Sequence, residues 1–422
     1  MAAVGGWAYT AGMRSGGFLL ARYFRYLVRF KLTPYGRVLV LLTFFAALGS
    51  ITVEIPIYQL FCALFFLPAV AELVGTVLRP QVELRCQLPD QATQGVPLCG
   101  VVEITNQGWF PAFDLMVGLF ELAAGVKQLH GSRVVASLRS GQSVAIPFEL
   151  LPTRRGRCEL GPVHVHSTFP FNLMRFGGGM VTLPPLIVLP AYQSLDYVDL
   201  PLGMRCRPTH PAPLVGARGE SPEYVGNREY ILGEPAVRLD FRAWARIGRP
   251  VVREYQDEYS FRSALIVDTY RPARRPVADQ DSVEAAISLA AALGEAMHLR
   301  EVVVDLVVAG PEIYLFQTPH VGTRFDSLLE ILAVTEATTT DPFPQLVDHL
   351  MQPLEGISSV VLVLQDWDDA RRAVVEWLRE AGLAVKVLLV REAASTAACP
   401  RDEEWCHTVS PQLVLAGEVR SV

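Results

Sequence analysis

Two long apolar runs constrain this chain more than any other feature. Val38 to Val53 is nearly unbroken, Ile57 to Leu78 is a second run, and Glu54 and Pro56 separate them. Each run is close to the ~20 residues that cross ~30 Å of hydrocarbon, and so short a connection makes them an antiparallel hairpin. Arg14, Arg22, Arg25, Arg29, Lys31 and Arg37 precede the pair, Arg79 and Arg85 follow it, and no Lys or Arg lies between. Basic flanks on both outer ends predict a multi-pass protein of the plasma (inner) membrane, with both termini and the folded parts cytoplasmic. A signal peptide cleaved near Ala47-Leu48-Gly49 is the competing reading, opposed by the long basic lead and the second run. Glu72 falls about two turns from the inner end, within reach of interfacial water or a neighbouring helix. Arg22, Arg25 and Arg29 recur at helical spacing among aromatics, which suits either an anionic lipid surface or a flank that only sets topology.

The composition narrows the function. With 422 residues there is room for two or three domains. A net charge of -6 and a pI near 5.8 oppose nucleic-acid binding, which leaves a basic footprint. Seven cysteines without paired spacing make neither a disulfide framework nor a zinc module, and suit a reducing compartment.

Five segments follow from the pattern. Residues 1–37 are a basic cytoplasmic lead and 38–78 the two transmembrane helices. Residues 79–190 carry short β-rich runs such as VELRCQL, LCGVVEITN and SVAIPFEL between turn residues, the mark of an antiparallel β-sandwich. Residues 191–227, rich in Pro, Gly and Arg, read as a linker or irregular connection. Residues 228–422 alternate apolar strands (SALIVD, EVVVDLVVA, SSVVLVLQD, AVKVLLV) with amphipathic helices, which predicts a largely parallel, Rossmann-like α/β sheet covered on both faces. Asp281 with Glu284 forms a capping-box pattern at the start of its first helix, and Gly382 closes a helix running from Asp368 to Ala381.

Two motifs carry a resemblance. One is Arg155-Gly156-Arg157-Cys158-Glu159-Leu160-Gly161-Pro162 with Ser167-Thr168-Phe169-Pro170-Phe171-Asn172-Leu173. The other holds Arg228, Glu229, Tyr230, Gly233, Arg238, Asp240, Ala245 and Arg246; these without Ala245, together with Arg242 and Trp244, are the candidate binding residues. Together they resemble the bacterial membrane proteins of "domain of unknown function 58", over most of the chain. Departures from that pattern are Phe169, Asn172, Glu234, Leu239 and Phe241. The resemblance implies two N-terminal spans, a β-sandwich and a C-terminal domain like the von Willebrand factor A module. It also implies a protein partner, a cytoplasmic AAA+ ATPase of the MoxR kind. It brings no known reaction.

Ligands of a parallel sheet bind beyond the carboxyl ends of its strands. Asp268, Thr323 and Asp366 fall there and are the candidate metal residues. An A-type module binds a divalent cation such as Mg²⁺ through Asp-x-Ser-x-Ser, a Thr and an Asp. Here Tyr270 and Pro272 occupy the two hydroxyl positions, and a hard cation wants about six oxygens. Arg271, Arg274 and Arg275 crowd the same loop, so the expectation is a vestigial site without cofactor, an arginine standing in the cation's place. Thr323 doubles as a helix cap with Asp326, and Asp366 as the polar end of a strand.

Between Pro235 and Gly248 the spacing predicts a basic helix. Val237, Phe241, Trp244 and Ala245 share one face, and Arg238, Arg242 and Arg246 repeat on another. Like charges at that spacing repel. Either nearby acids (Asp240, Glu234, Glu254, Asp257, Glu258) pair with them, or the face docks an acidic partner or lipid phosphates. His164 and His166 share one side of a strand, a polar face or a two-nitrogen metal fragment. Cys406, His407 and Cys399 lie together near the C-terminus, but sequence adjacency does not make a nucleophile and its base face each other.

No Gly-x-Ser-x-Gly, P-loop or His-Glu-x-x-His occurs. The expected function is therefore non-enzymatic: a membrane-anchored protein-protein interaction module, an adaptor for the MoxR-type ATPase that the resemblance implies. The alternatives are a Mg²⁺-dependent adhesion-type module and a cell-envelope hydrolase.

Overall fold

The computed structural model describes residues 28, 31–49, 55–119, 124–131, 133–201, 223–231, 239–256, 262–272, 276–317, 325–350, 357–399 and 404–422. The chain forms two compact units, residues 1–153 with 158–186, and residues 154–157 with 187–422.

The first unit opens on a helix pair, α1 (Pro34–Gly49) and α2 (Ile55–Val77). Only α2, with 23 residues, is long and apolar enough to cross a hydrocarbon layer. At 16 residues, α1 is short for a span, so among the described residues helix length carries one crossing. Leu41, Phe44, Phe45, Phe65, Phe66 and Leu73 are all exposed, an apolar surface too large to leave in water. Pro68 lies inside α2 and supplies no N–H to the Leu64 carbonyl one turn back. Thr43 of α1 stands 3.4 Å from that oxygen, its hydroxyl shared with Leu39 O at 2.8 Å.

The sandwich consists of β1 (Val82–Gln87), β2 (Leu98–Asn106), β3 (Ala112–Leu119), β4 (Val126–Gln128), β5 (Arg133–Leu138), β6 (Ser143–Pro152), β7 (Val163–Ser167) and β8 (Phe176–Val181). One sheet runs β1-β2-β6-β4, the other β8-β7-β3-β5. Val102, Ile104, Leu115, Ile146, Leu150, Val163 and Val165 are buried, alternating along their strands as a sandwich requires.

Both helices are tied to this sandwich. Thr33 N donates to Leu173 O at 3.0 Å, and Lys31 meets Glu72 at 2.8 Å, so Glu72 pairs with a lysine. Contact is close enough to demand glycine. A Cβ on Gly36 would lie 2.0 Å from Leu173 O, and one on Gly75 would lie 2.0 Å from the Phe176 ring.

In the second unit, β9 (Glu223–Glu229) and β10 (Val251–Gln256) form a hairpin that contains α3 (Phe241–Ile247). The main sheet comprises β11 (Arg262–Asp268), β12 (Val303–Ala309), β13 (Ile313–Phe316), β14 (Ser359–Leu364), β15 (Ala384–Val390) and β16 (Cys406–Val409). Its order is β13-β12-β11-β14-β15-β16. All its pairs are parallel except β12 with β13. The chain starts in the middle, winds one way and then the other, so the reversal lies between β11 and β14. Helices α4 (Ser282–Leu299), α5 (Phe325–Val334) and α8 (Pro411–Leu415) contribute to the core on one face. Helices α6 (Phe343–Leu350) and α7 (Asp369–Glu380) contribute to the core on the other.

Part of the expected linker belongs to this unit. Residues 191–201 lack helix and strand, yet Val198 is buried. Ser288 Oγ donates to Ala191 O at 2.7 Å, Arg300 Nη1 to Val198 O at 2.7 Å, and Lys386 Nζ to Asp199 O at 2.8 Å. Proline and glycine signal irregular backbone, and irregular backbone can still pack. Arg155 is likewise buried in this unit. It donates to Leu332 O at 3.2 Å and Thr335 O at 2.8 Å, and pairs with Glu284. It thereby satisfies carbonyls at the end of α5, while burial pulls its guanidinium down to about 10.

Candidate functional site

The switch point between β11 and β14 is built on a buried ion pair. Asp268 ends β11 and is fully buried. Its Oδ1 accepts from Tyr270 N at 2.9 Å, and its Oδ2 from Gln365 N at 3.1 Å and Arg371 Nε at 2.8 Å. Arg371 is equally buried. Its Nη1 donates to Asp368 Oδ2 at 2.6 Å, and Nη1 and Nη2 reach Asp341 at 3.4 Å. The guanidinium lies 4.3 Å from the Phe343 ring centroid and 5.4 Å from that of Tyr270. Burial alone would lower the guanidinium; Asp268, Asp368 and Asp341 more than reverse this and hold it above its ordinary value. Burial raises the Asp268 carboxyl, against the pull of Arg371 and the two amides.

Helix geometry delivers Arg371 to this place. Asp368 caps α7, accepting from Arg371 N at 2.9 Å. Arg371, Val374, Val375 and Leu378 are the buried residues of the helix, spaced as one stripe facing the sheet. The stripe therefore begins with an arginine, and that spacing is the signal by which the sequence could have revealed it.

This corrects the expected source of the positive charge. Arg271 is exposed, and Arg274 and Arg275 lie outside the described residues. A guanidinium does sit among carboxylates at the sheet's rim, but it comes from α7 rather than the loop after β11. The residues do not fit a divalent cation. The Asp268 oxygens are taken by Arg371 and two amides, and Tyr270 and Pro272 stand where hydroxyls would be needed. Among the described residues no group of three or more His, Cys, Asp and Glu is arranged for a metal.

Asp366 serves a different cluster. It accepts from Thr396 N at 2.9 Å and Thr396 Oγ1 at 2.6 Å, and Arg391 Nη1 lies 2.5 Å away. Burial acts to raise its carboxyl, but Thr396, the Trp367 amide and Arg391 hold it below the ordinary range. Arg391 also approaches buried Asp279, Nε to Oδ2, at 3.6 Å. Asp279, Asp341, Gln365, Arg371, Arg391 and Thr396 were not selected from sequence, because long-range pairing leaves no spacing to read. Thr323 lies outside the described residues, as does the cap expected of it.

Helix α3 is shorter than the basic helix predicted between Pro235 and Gly248. Its first residue is Phe241. Asp240 caps it, accepting from Arg242 N at 3.1 Å and Ala243 N at 3.0 Å, and Gly248 closes it in the left-handed region. The expected apolar face is not the buried one. Ala243 is buried, whereas Phe241 and Trp244 are exposed and stack on each other. Arg242 and Arg246 are exposed. Arg228 donates to Glu229 O at 3.3 Å, Glu229 pairs with Arg249, and Tyr230 N donates to Pro250 O at 3.0 Å. Gly233, Pro235 and Arg238 lie outside the described residues. Asp240→Ala removes the cap of a seven-residue helix and should cost about 1 kcal/mol. The check is faster amide exchange at Arg242 and Ala243 with the main sheet unaffected.

Two other expectations change, those for Asp281 and for the histidine pair. Asp281 precedes α4 but makes no side-chain cap bond; Ser282 bonds Gln365 instead, and Glu284 pairs with Arg155. His164 and His166 are both buried rather than on an open polar face. Burial first, then Arg175 and His164, pushes the His166 imidazole down to about 4. Cys406 is buried and its strand neighbour His407 is exposed. They point to opposite sides, and Cys406 Sγ meets Cys399 Sγ at 3.0 Å instead.

No protein-family model matches the chain, and no curated protein does. Solved structures overlap about a quarter of it, as a β-sandwich. The CARDB domain of a Pyrococcus furiosus protein is 14% identical, covering 26% of this chain and 94% of that one, with a TM-score of 0.19. The cohesin module of a Clostridium perfringens family 33 glycoside hydrolase is 11% identical, covering 26% and 97%, with a TM-score of 0.19. Native alpha-2-macroglobulin from Escherichia coli is 18% identical over 28% of this chain and 18% of its own, with a TM-score of 0.22. Overlaps this low carry nothing about activity.

Proposed function

We propose that this chain is a membrane-anchored interaction module of the "domain of unknown function 58" kind, held to the bilayer by the α1–α2 hairpin. Its C-terminal unit is a von Willebrand factor A-like domain that recognises protein without a metal. The observation that carries this reading is the Asp268–Arg371 pair at the switch point. A guanidinium bonded to three carboxylates stands at the end of β11, the strand end from which an A-type module would bind Mg²⁺. That disfavours the adhesion-type alternative. The hydrolase alternative gains nothing from Cys406 and His407, which lie on opposite sides of their strand. The sheet order, with its one antiparallel strand next to β12, suits the A-type assignment.

The resemblance supplies the partner: a MoxR-type AAA+ ATPase, for which this protein would act as an adaptor. The test is affinity capture of the full chain from solubilised membranes, with and without ATP, alongside a Mg²⁺ titration. An AAA+ ATPase retained in a nucleotide-dependent way, with no stoichiometric Mg²⁺ uptake, is the expected result. Stoichiometric Mg²⁺ bound by the wild type and lost in Asp268→Ala would restore the adhesion-type reading.

A further inference from the structure

The loops of the sandwich that neighbour the helix ends carry large aromatic residues in the open. Trp109 is 93% exposed and Phe110 is 61% exposed. They sit on the turn between β2 and β3, whose Gln107 N donates to Gln81 O at 2.9 Å. Gln81 follows the last residue of α2 by only four positions, a reach of at most about 14 Å even when extended. On the neighbouring loop Phe171 is exposed. The next two carbonyls, of Asn172 and Leu173, accept from Thr33, at the threshold of α1. Tyr35 in the first turn of α1 is exposed as well, as are Arg37 and Arg79 at the same helix ends.

The sandwich is thus tethered at two points to the end of the helix pair, too closely to leave whatever surface α2 emerges from. Trp and Tyr rings at a membrane boundary place an apolar body among the lipid chains and a polar edge at the headgroups, and Phe rings beside them add apolar surface. Guanidiniums beside them meet lipid phosphates. We propose that the rim formed by Tyr35, Arg37, Arg79, Trp109, Phe110 and Phe171 is a lipid-contact surface. It seats the sandwich on the bilayer that α2 crosses, in contact with phosphates and upper acyl chains. This rests on the anchoring reading above and goes beyond it: the sandwich is not a freely tumbling head, and its orientation to the membrane is fixed.

The full chain is reconstituted into vesicles of brominated phosphatidylcholine with phosphatidylglycerol, and its tryptophan emission compared with that in unbrominated lipid. Trp109→Phe, a change at an open position, is measured in parallel, and circular dichroism checks its fold. Quenching that largely disappears in Trp109→Phe supports the proposal. Equal quenching in the two proteins, with the chain resisting alkaline carbonate extraction, overturns it while the anchor stands. Release of the wild type by alkaline carbonate overturns the anchor and the proposal together.

Discussion

Replacing Arg371 with alanine should destabilise the α/β unit by about 3–5 kcal/mol, among the largest losses available to a single residue here. Three carboxylates depend on this guanidinium, and Asp268 among them is wholly buried. Removing the cation leaves Asp268 charged with only two backbone amides to hold it, or forces it to take a proton. Arg371→Lys should also be costly, because an ammonium cannot present the planar fork that reaches Asp268 and Asp368 together. A buried pair can be favourable relative to its broken halves without being favourable in itself, and a double-mutant cycle separates the two cases. Asp268→Asn combined with Arg371→Met should be clearly less destabilised than the sum of the two single changes, as read from urea midpoints. Strict additivity would mean that the two side chains do not act as a unit, and the switch-point reading would fall with it.

Acid should unfold the sandwich through His166. Its folded-state value is depressed from 6.5 to about 4, mainly by burial. The folded form keeps the ring neutral, whereas the unfolded form takes up a proton below pH 6.5. The stabilising contribution is therefore complete above pH 6.5 and disappears as pH falls towards 4. A depression of this size corresponds to about 3 kcal/mol over that window. Carboxylates titrate in the lower part of the same range, so the comparison with His166→Asn isolates the imidazole. The variant's stability should change far less between pH 6.5 and 4, and parallel curves for the two proteins would reject the assignment.

The histidines illustrate where periodicity stops informing. The alternation of Val163, His164, Val165 and His166 fixes which side chains share a face. It does not say whether the second face is covered, and here both are. Asp281 and Ser282 show the same limit at a helix start. The cap pattern is a local preference, and the tertiary bond from Ser282 to Gln365 overrides it. In α3, Phe241 and Trp244 follow an apolar pattern yet face outward. The small Ala243 takes the buried position against the hairpin, which pattern alone cannot rank.

By itself the sequence determined the α2 helix, the β-sandwich and the alternating α/β unit, because each depends on hydrophobic spacing and turn residues that act over a few positions. It also placed Asp268 at the end of its strand, since strand ends follow from the same local signals. What filled the space in front of Asp268 was decided only in three dimensions. Arg371 comes from a position 103 residues away, and a charge pair between distant elements leaves no period in the chain. The aromatic rim depends likewise on which loops the fold brings beside the ends of two helices. Local free energies write themselves into sequence patterns; long-range electrostatics and packing appear only once the chain has closed on itself.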